Sequence, residues 1–594
     1  MCGIVGFVGG KNAVDVLIAG LHRLEYRGYD SVGIATMAPD SIEIVKTVGK
    51  VKMIEPITKR IQESNPTMGI GHTRWATHGE ASEVNSHPHH SNNLVIVHNG
   101  IIENYAELRT WLTSEGYTFQ SDTDTEVAAH LLDYLYATTH DAVIAMKRSM
   151  DYMQGAYAIA MMVKDQKETL YAFRCGSPLV IGVQGTDYYL GSDITAFESY
   201  TQQFIELEEG QIAEMGSEGF QKYDQDLNIV PYTVKQKLEQ TENVEMGDYP
   251  HFMLKEIHEQ PEIIQRILDY YTIDGKINLP ISTAFETIKR IHIIACGTAL
   301  HAGYLGKYWI EQSTNFDVLV HVASEFRYQR NRLDSKDIFV FISQSGETAD
   351  TLASLRFVKE QGLQTVAIVN NEHSSLAKES AITLFTKAGI EQSVASTKAY
   401  SAQAMVLLLL SKQLSKTDER AAIQQIPELI IKSIDQMKNI MALSEKLVSI
   451  QNAFYIGRGV DYYLALEGSL KLKEITYIHS EAIQAGELKH GSIALIDENV
   501  VTVALVTQPN LTEKSLSNIH EIIARGGKVI VIAPEDFDIP TMDSLDVLRI
   551  PTVDPNLTPF LAMIPLQLLA YHTSVLRGCD VDQPRNLAKS VTVE

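Results

Sequence analysis

Apolar and polar positions divide this chain into three stretches with different rhythms. In the first, Ile4-Val5 and Phe7-Val8 make a short apolar run around Gly6 and predict a buried strand. From Ala13-Val14 to Leu24 the apolar residues recur close to the helical period, which predicts a helix. A polar turn follows at Glu25-Tyr26-Arg27-Gly28-Tyr29-Asp30-Ser31, where Gly28 can take a positive φ. Further strands are expected at 31–35, 42–45, 69–72, 94–98, 156–163, 170–173 and 188–191. Helices are expected at 104–115 and after the capped start Ser121-Asp122-Thr123-Asp124-Thr125-Glu126. Together these read as a layered α+β domain over 1–240.

The rhythm fades over about 215–255, where polar and acidic residues such as Tyr223-Asp224-Gln225-Asp226 predict a connection. One short strand is expected near 232–234, and a leading helix starts at about Tyr249, within a linker region spanning 241–284. The last stretch repeats one plan twice. Strands at 290–295, 338–343 and 365–370 alternate with helices, and strands at 453–456, 500–506 and 528–533 do so again. Such alternation predicts two doubly wound parallel sheets, over 285–425 and 448–585, with a tail at 586–594. Ligands of such sheets sit at the carboxyl ends of strands.

Charge narrows the function classes. With 50 basic against 74 acidic residues, the net charge of −24 argues against nucleic acid and membrane surfaces as partners. It also requires local donors for any anionic substrate. The apolar run 404–410 is too short to span a bilayer, and the start of the chain shows no charged n-region or cleavage signal, so a soluble protein is expected. The four cysteines, Cys2, Cys175, Cys296 and Cys579, are too scattered for a disulfide framework or zinc site, and a reducing cytoplasm is expected.

Candidate chemistry begins at Cys2. Cys2, directly after Met1, is small enough for the methionine to be trimmed, which would join a thiol nucleophile and a free α-amine in one residue. Asn99-Gly100 offers two donors to an oxyanion, Arg74 a fork for a carboxylate, and Asp124 a partner for an ammonium. That set describes a site for an α-amino acid with a side-chain carbonyl, and glutamine fits. The plainer readings are an incidental thiol, a surface ion pair and a helix cap. His72, His78, His87, His89, His90 and His98 lack cysteine or acidic partners at ligand spacing, so no metal is expected.

In the repeats, Ser343-Gln344-Ser345-Gly346-Glu347-Thr348 stands between a strand and a helix and reads either as an anion cradle or as an ordinary capped turn. No lysine follows the glycine, which disfavours ATP and leaves a phosphorylated sugar. Ser396-Thr397-Lys398 adds hydroxyls. Glu467, Lys471 and Glu474 share one helical face, either as a surface ion-pair ladder or as the groups of a keto–aldo isomerisation, with His490 as acid/base. Lys589 is a candidate Schiff-base amine in a tail that otherwise reads as a docked peptide.

Met1–Gly6, Glu25–Ser31, Gly71-His72-Thr73-Arg74-Trp75-Ala76-Thr77-His78-Gly79 and His98-Asn99-Gly100 resemble the glutaminase domain of the glucosamine-6-phosphate synthase family. Ser343–Thr348 and Val394-Ala395-Ser396-Thr397-Lys398 resemble the sugar isomerase (SIS) domain of the same family. The resemblance implies an N-terminal-nucleophile glutaminase sandwich, antiparallel sheets between helices, followed by two SIS domains. It implies Cys2 as nucleophile, Asn99 and Gly100 as oxyanion donors, and Arg74, Thr77, His78 and Asp124 around glutamine. Trp75 would gate ammonia, and Arg27 and His87 would belong to a lid region. Ser343, Gln344, Ser345, Thr348 and Ser396 would hold fructose 6-phosphate; Glu474, Lys471, His490 and Lys589 would carry its conversion to glucosamine 6-phosphate. No cofactor and no metal are implied, and His490 would serve a neighbouring subunit, implying a homodimer. This chain departs at Ala299, where the family usually has serine, and at Ser492, where it usually has proline. Two other readings are an amidotransferase or deglycase acting on another keto-sugar phosphate, and a sugar-phosphate-binding regulator.

Overall fold

The computed structural model describes residues 2–39, 41–236, 245–281, 285, 288–416 and 420–592 of the 594-residue chain. The fate of Met1, the middle of the expected linker at 237–244, the expected border at 282–284 and the last two residues of the tail lie outside the described residues. Two compact units are present, one built on Met1–Thr241 and the other on Glu242–Lys589.

The first unit stacks two antiparallel sheets between helices. Its eight-stranded sheet has the Gly3–Val8 strand in the interior, paired on one side with Met68–Arg74 and on the other with Asp187–Gly191. Alternation explains the layering. Ile4 and Val8 face the second sheet in a shared core, while Val5 and Phe7 face the Ala13–Leu24 helix. The second sheet, of six strands, carries Leu94–Ile102 and Gly155–Val163 side by side, covered on its far face by the Asp124–Thr139 and Ala142–Tyr152 helices. Asn12 caps the first helix through Val14 N–H. Thr123 caps the Asp124–Thr139 helix by accepting the Glu126 N–H, while the Glu126 carboxylate takes the N–H groups of Gln120 and Ser121 and the Thr123 N–H goes to Ser121 Oγ. The strand expected at 232–234 is found instead at Lys235–Gln236, where it pairs with Gln203–Glu206 at the sheet edge.

The second unit holds two five-stranded parallel sheets of identical topology. In the first the order is Asp317–Val322, Arg290–Ala295, Asp337–Ser343, Gln364–Val369, Ile382–Phe385; in the second it is His479–Gln484, Asn452–Gly457, Val501–Leu505, Lys528–Pro534, Leu545–Ile550. Each sheet therefore has a switch point between its first and third strands in chain order, where ligands of such sheets bind. Two helices buried along most of their length, Lys398–Ser415 and Thr558–Leu576, pack on Gly297–Ser313 and Val460–Thr476 and join both repeats in one apolar core. Thr558–Leu576 is long and apolar enough to cross a membrane by length and composition, but most of it is buried inside this core.

Leu407 lies fully buried in the Lys398–Ser415 helix. Leu407→Ala removes a packed side chain from that shared core and is expected to cost about 2–5 kcal/mol, read as a lower urea midpoint. An unchanged midpoint contradicts the placement of this helix in the core.

Candidate active sites

Pairing of the first strand with Met68–Arg74 brings residue 2 beside the loop after Arg74. The Trp75 N–H donates to Cys2 Sγ at 3.2 Å, and the sulfur reaches the Trp75 carbonyl at 3.6 Å. Gly3 N–H is held by Thr73 Oγ1 at 3.1 Å. Burial pushes the Cys2 thiol up, and the Trp75 N–H and the nearby Arg74 charge pull against it. Asn99 stands at the facing strand and donates from Nδ2 to the Cys2 carbonyl at 3.0 Å. Gly100 has φ 116°, and a Cβ there would lie 1.9 Å from the Ala156 carbonyl, so only glycine fits beside Asn99.

Arg74 is buried, and its guanidinium holds the carbonyls of His78, Gly79 and Glu80, which shapes the loop carrying Thr77 and His78. Desolvation lowers its pKa, opposed by Cys2, Asp30 and Asp124. Asp124, at the first turn of its helix, accepts Ile102 N–H at 2.9 Å. Thr77 is exposed and His78 half-buried against Tyr105. Arg27, expected in a lid, is buried and paired with Asp193; His87 is buried in a stack with His72.

In the second unit, Ser343 ends its strand and its hydroxyl meets Thr348 Oγ1 at 2.8 Å. The Gly346 N–H donates to Ser343 Oγ at 3.0 Å, and the Glu347 N–H to Ser345 Oγ at 3.2 Å. Thr348 precedes the Ala349–Glu360 helix without capping it through its side chain, which suits an anion at that helix start. Gly346 has φ 68°, and a Cβ would lie 2.1 Å from Ser374 Oγ. Gln344 is half-buried, and its carbonyl accepts Asn370 N–H at 3.2 Å.

The Val460–Thr476 helix buries the expected charged face. Lys471 Nζ sits 2.6 Å from Glu474 Oε2 and 3.5 Å from Glu467 Oε1, and donates to Thr298 Oγ1 at 3.1 Å. Glu467 also takes His301 Nδ1 at 2.7 Å. The side chains of Lys471 and Glu467 are 1% and 0% exposed, so the surface-ladder reading is excluded. Burial alone would lower the Lys471 pKa, but Glu474 and Glu467 raise it. Removing Lys471 would leave the fully buried Glu467 without its ammonium partner.

Lys589 pairs with Glu391 and donates to the Ser393 carbonyl at 2.8 Å. Glu391 also accepts the N–H groups of Thr397 at 2.9 Å and Ala399 at 3.1 Å, and the Ser396 hydroxyl at 2.6 Å. Its pKa, which burial alone would raise, is held down to about 2, Lys589 being the chief opposing influence. Glu391, Thr298 and His301 went unrecognised from sequence. An acid a few residues before a helix-starting Ser-Thr-Lys was the available signal for Glu391. His490 is exposed and makes no hydrogen bond or ion pair among the described residues, so this chain does not bring it to Lys471 or Lys589.

A family model described as a glutamine amidotransferase domain matches residues 72–199, and one described as the SIS domain matches 285–412 and 446–577. The chain is 44% identical over 613 residues to a protein of Caldanaerobacter subterraneus subsp. tengcongensis named glutamine–fructose-6-phosphate aminotransferase [isomerizing], covering 100% of both. It is 43% identical over 618 residues to a protein of that name from Pseudomonas aeruginosa, again covering 100% of both. The solved C-terminal domain of glucosamine-fructose-6-phosphate aminotransferase from Francisella tularensis matches with a TM-score of 0.56 and 41% identity, over 57% of this chain and 100% of that one.

Burial depresses the imidazole pKa at His72 to about 3, at His87 and His89 well below 6.5, and at His98 also downward. Below pH 6.5 the unfolded chain protonates these rings and the folded chain does not. Each ring therefore withdraws stability as the pH falls below 6.5, until its folded pKa is reached, and for His72 the slope approaches about 1.4 kcal/mol per pH unit. The urea midpoint of the first unit should fall steadily from pH 7 to pH 5; a flat midpoint contradicts neutral buried rings.

Proposed function

The chain belongs to the glutamine–fructose-6-phosphate aminotransferase (isomerizing) family, and from that premise we propose how its residues divide the reaction. The enzyme transfers the amide nitrogen of L-glutamine to D-fructose 6-phosphate with isomerisation, giving D-glucosamine 6-phosphate and L-glutamate. We place it at the entry to amino-sugar synthesis.

Residues 1–240 carry the glutaminase chemistry. With Met1 removed, the Cys2 α-amine takes the thiol proton and the sulfur adds to the glutamine amide carbon. Asn99 Nδ2 and the Gly100 N–H stabilise the oxyanion. The α-ammonium returns that proton to the amide nitrogen, which leaves as ammonia when the C–N bond breaks, and water then releases glutamate from the thioester. Arg74 and Asp124 hold the α-carboxylate and α-ammonium of glutamine, Thr77 and His78 line its site, and Trp75 gates the ammonia. The Trp75 N–H on Cys2 Sγ and the Asn99 amide at the same residue support this assignment.

The SIS repeats, at 285–425 and 448–585, carry the sugar chemistry. Ser343, Gln344, Ser345, Thr348 and Ser396 hold the phosphosugar. Lys589 sheds a proton, adds to the C2 carbonyl and expels water as a Schiff base; ammonia then displaces the lysine amine. Glu474 moves a proton between C2 and C1, Lys471 stabilises the neighbouring oxygen, and His490 opens the ring. The observation that carries this reading is the Lys471 ammonium buried between Glu467 and Glu474. His490, exposed in its own chain, fits service to a second copy, and we propose a homodimer with neither nucleic acid nor membrane as partner. The free cysteines fit a cytoplasmic setting.

Glu474→Gln is expected to lower glucosamine 6-phosphate formation by about 10²–10⁴-fold while glutamate release from glutamine persists. Both products are measured in one reaction, with and without fructose 6-phosphate. Unchanged hexosamine formation contradicts the role of Glu474; glutamate without hexosamine from the parent enzyme contradicts the sugar assignment.

A further inference from the structure

The first unit buries more imidazole than a thiol and an α-amine require. His72, His87 and His98 form one assembly with Thr125 behind Asn99, and their hydrogen positions follow from the fixed partners. The His98 carbonyl can only accept, so the ring nitrogen that reaches it at 2.9 Å, His72 Nε2, carries the hydrogen. The same nitrogen lies 3.1 Å from Asn99 Oδ1, so this N–H is shared between the two oxygens. That contact orients the amide. Oδ1 turns to His72, and Nδ2 turns to Cys2, where it donates to the carbonyl at 3.0 Å.

The ring of His72 is itself held in place. His87 stacks on it with centroids 3.9 Å apart and planes inclined by 13°. His87 Nδ1 accepts the His98 N–H at 3.3 Å, which puts the His87 hydrogen on Nε2, 3.2 Å from Thr125 Oγ1. The Thr125 hydroxyl then donates to His98 Nδ1 at 2.9 Å. His72 is fully buried, and with a pKa near 3 it stays neutral throughout the working range.

We propose that His72 is a positioning residue for glutamine hydrolysis, fixing the Asn99 amide so that its NH₂, and not its oxygen, faces the charge that develops beside Cys2. The inference rests on the reading of Asn99 as an oxyanion donor. A primary amide is nearly symmetric in shape, and the flipped form would set a carbonyl dipole against the oxyanion in a water-poor site. The reading separates His72 from the nucleophile and from the glutamine clamp. Its loss should therefore act on the chemical step and leave substrate binding alone.

His72→Phe keeps a flat ring on His87 and removes the N–H. His72→Gln returns an N–H donor close to the position of Nε2. In the full-length enzyme, H72F is expected to lower kcat for glutamate release by about 10–100-fold and change KM for glutamine by less than about twofold. Affinity for the glutamine analogue bearing an aldehyde in place of the amide, which forms a thiohemiacetal with the sulfur, should fall by a similar factor. Alkylation of Cys2 by iodoacetamide should proceed at the parent rate, showing an intact fold and nucleophile, and H72Q should recover most of the loss. Asn99→Ala is measured alongside. If N99A lowers kcat and H72F does not, this inference falls and the oxyanion reading stands. If N99A leaves kcat intact, both fall. A rise in KM with kcat unchanged also overturns it, since His72 would then serve binding.

Discussion

A strand that begins at residue 3 and runs through the interior of a sheet constrains everything near the start of this chain. Terminal segments ordinarily fray, because few contacts hold them. Here Gly3–Val8 is paired along both edges, with Met68–Arg74 and Asp187–Gly191, and both of its faces are buried. Residue 2 inherits that order. Its sulfur lies against the backbone of Trp75 and its carbonyl against Asn99, so the thiol we propose as nucleophile is fixed by hydrogen bonds from two other segments of the unit. Gly3 and Gly6 belong to the same constraint. A Cβ at Gly3 would meet Leu24 and Thr73 at 2.7 Å, and one at Gly6 would meet Leu170 and Leu190 at 3.0 Å.

The second unit solves a different problem: holding charges where water is scarce. A buried ammonium is tolerable only when opposite charge and hydrogen bonds surround it. Lys471 has Glu467, Glu474 and Thr298; Lys589 has Glu391 and a backbone carbonyl. The two sheets share a strand order but not a role. After its third strand the first repeat presents the hydroxyls of Ser343, Ser345 and Thr348. At the matching place the second repeat presents Thr507, whose N–H is taken by the Asp461 carboxylate at 2.9 Å. The second repeat thus has a carboxylate of its own at its switch point. Its contribution to the site is the helix that carries Glu467, Lys471 and Glu474 to Thr298 and His301 of the first repeat.

Much of this was legible in the chain. Buried strands leave apolar runs that end in polar clusters, as at 290–295 and 338–343, and a helix packed on one face leaves a period near 3.6, as at 13–24; the observed elements match these to within a residue. The Glu467–Lys471–Glu474 face follows from helical spacing alone. What spacing could not decide was whether that face met water or the core, because a solvated ladder and a buried relay have the same sequence. Thr558–Leu576 was missed for the opposite reason: a helix buried on nearly all sides has no polar face and so no period. Edge strands such as Asp317–Val322 and His479–Gln484 expose half their residues and so leave no apolar run that predicts a strand. Glu391 and His72 bond to partners far away in the chain, Lys589 and Asn99, and no local pattern carries that information. Arg74 stands out in the sequence as a carboxylate fork, yet three of its hydrogen bonds go to the loop it supports, a contribution that only coordinates reveal.

The two halves of the account meet in one nitrogen atom, which leaves glutamine at Cys2 and ends on carbon 2 of the sugar. Glutamine labelled with ¹⁵N at the amide tests that most directly, with the parent enzyme and Cys2→Ala compared in the presence of fructose 6-phosphate. The parent should yield glucosamine 6-phosphate carrying the label, one for each glutamate released, and the variant should yield none from glutamine. Labelled amino sugar formed at the parent rate by Cys2→Ala would contradict the account at its origin.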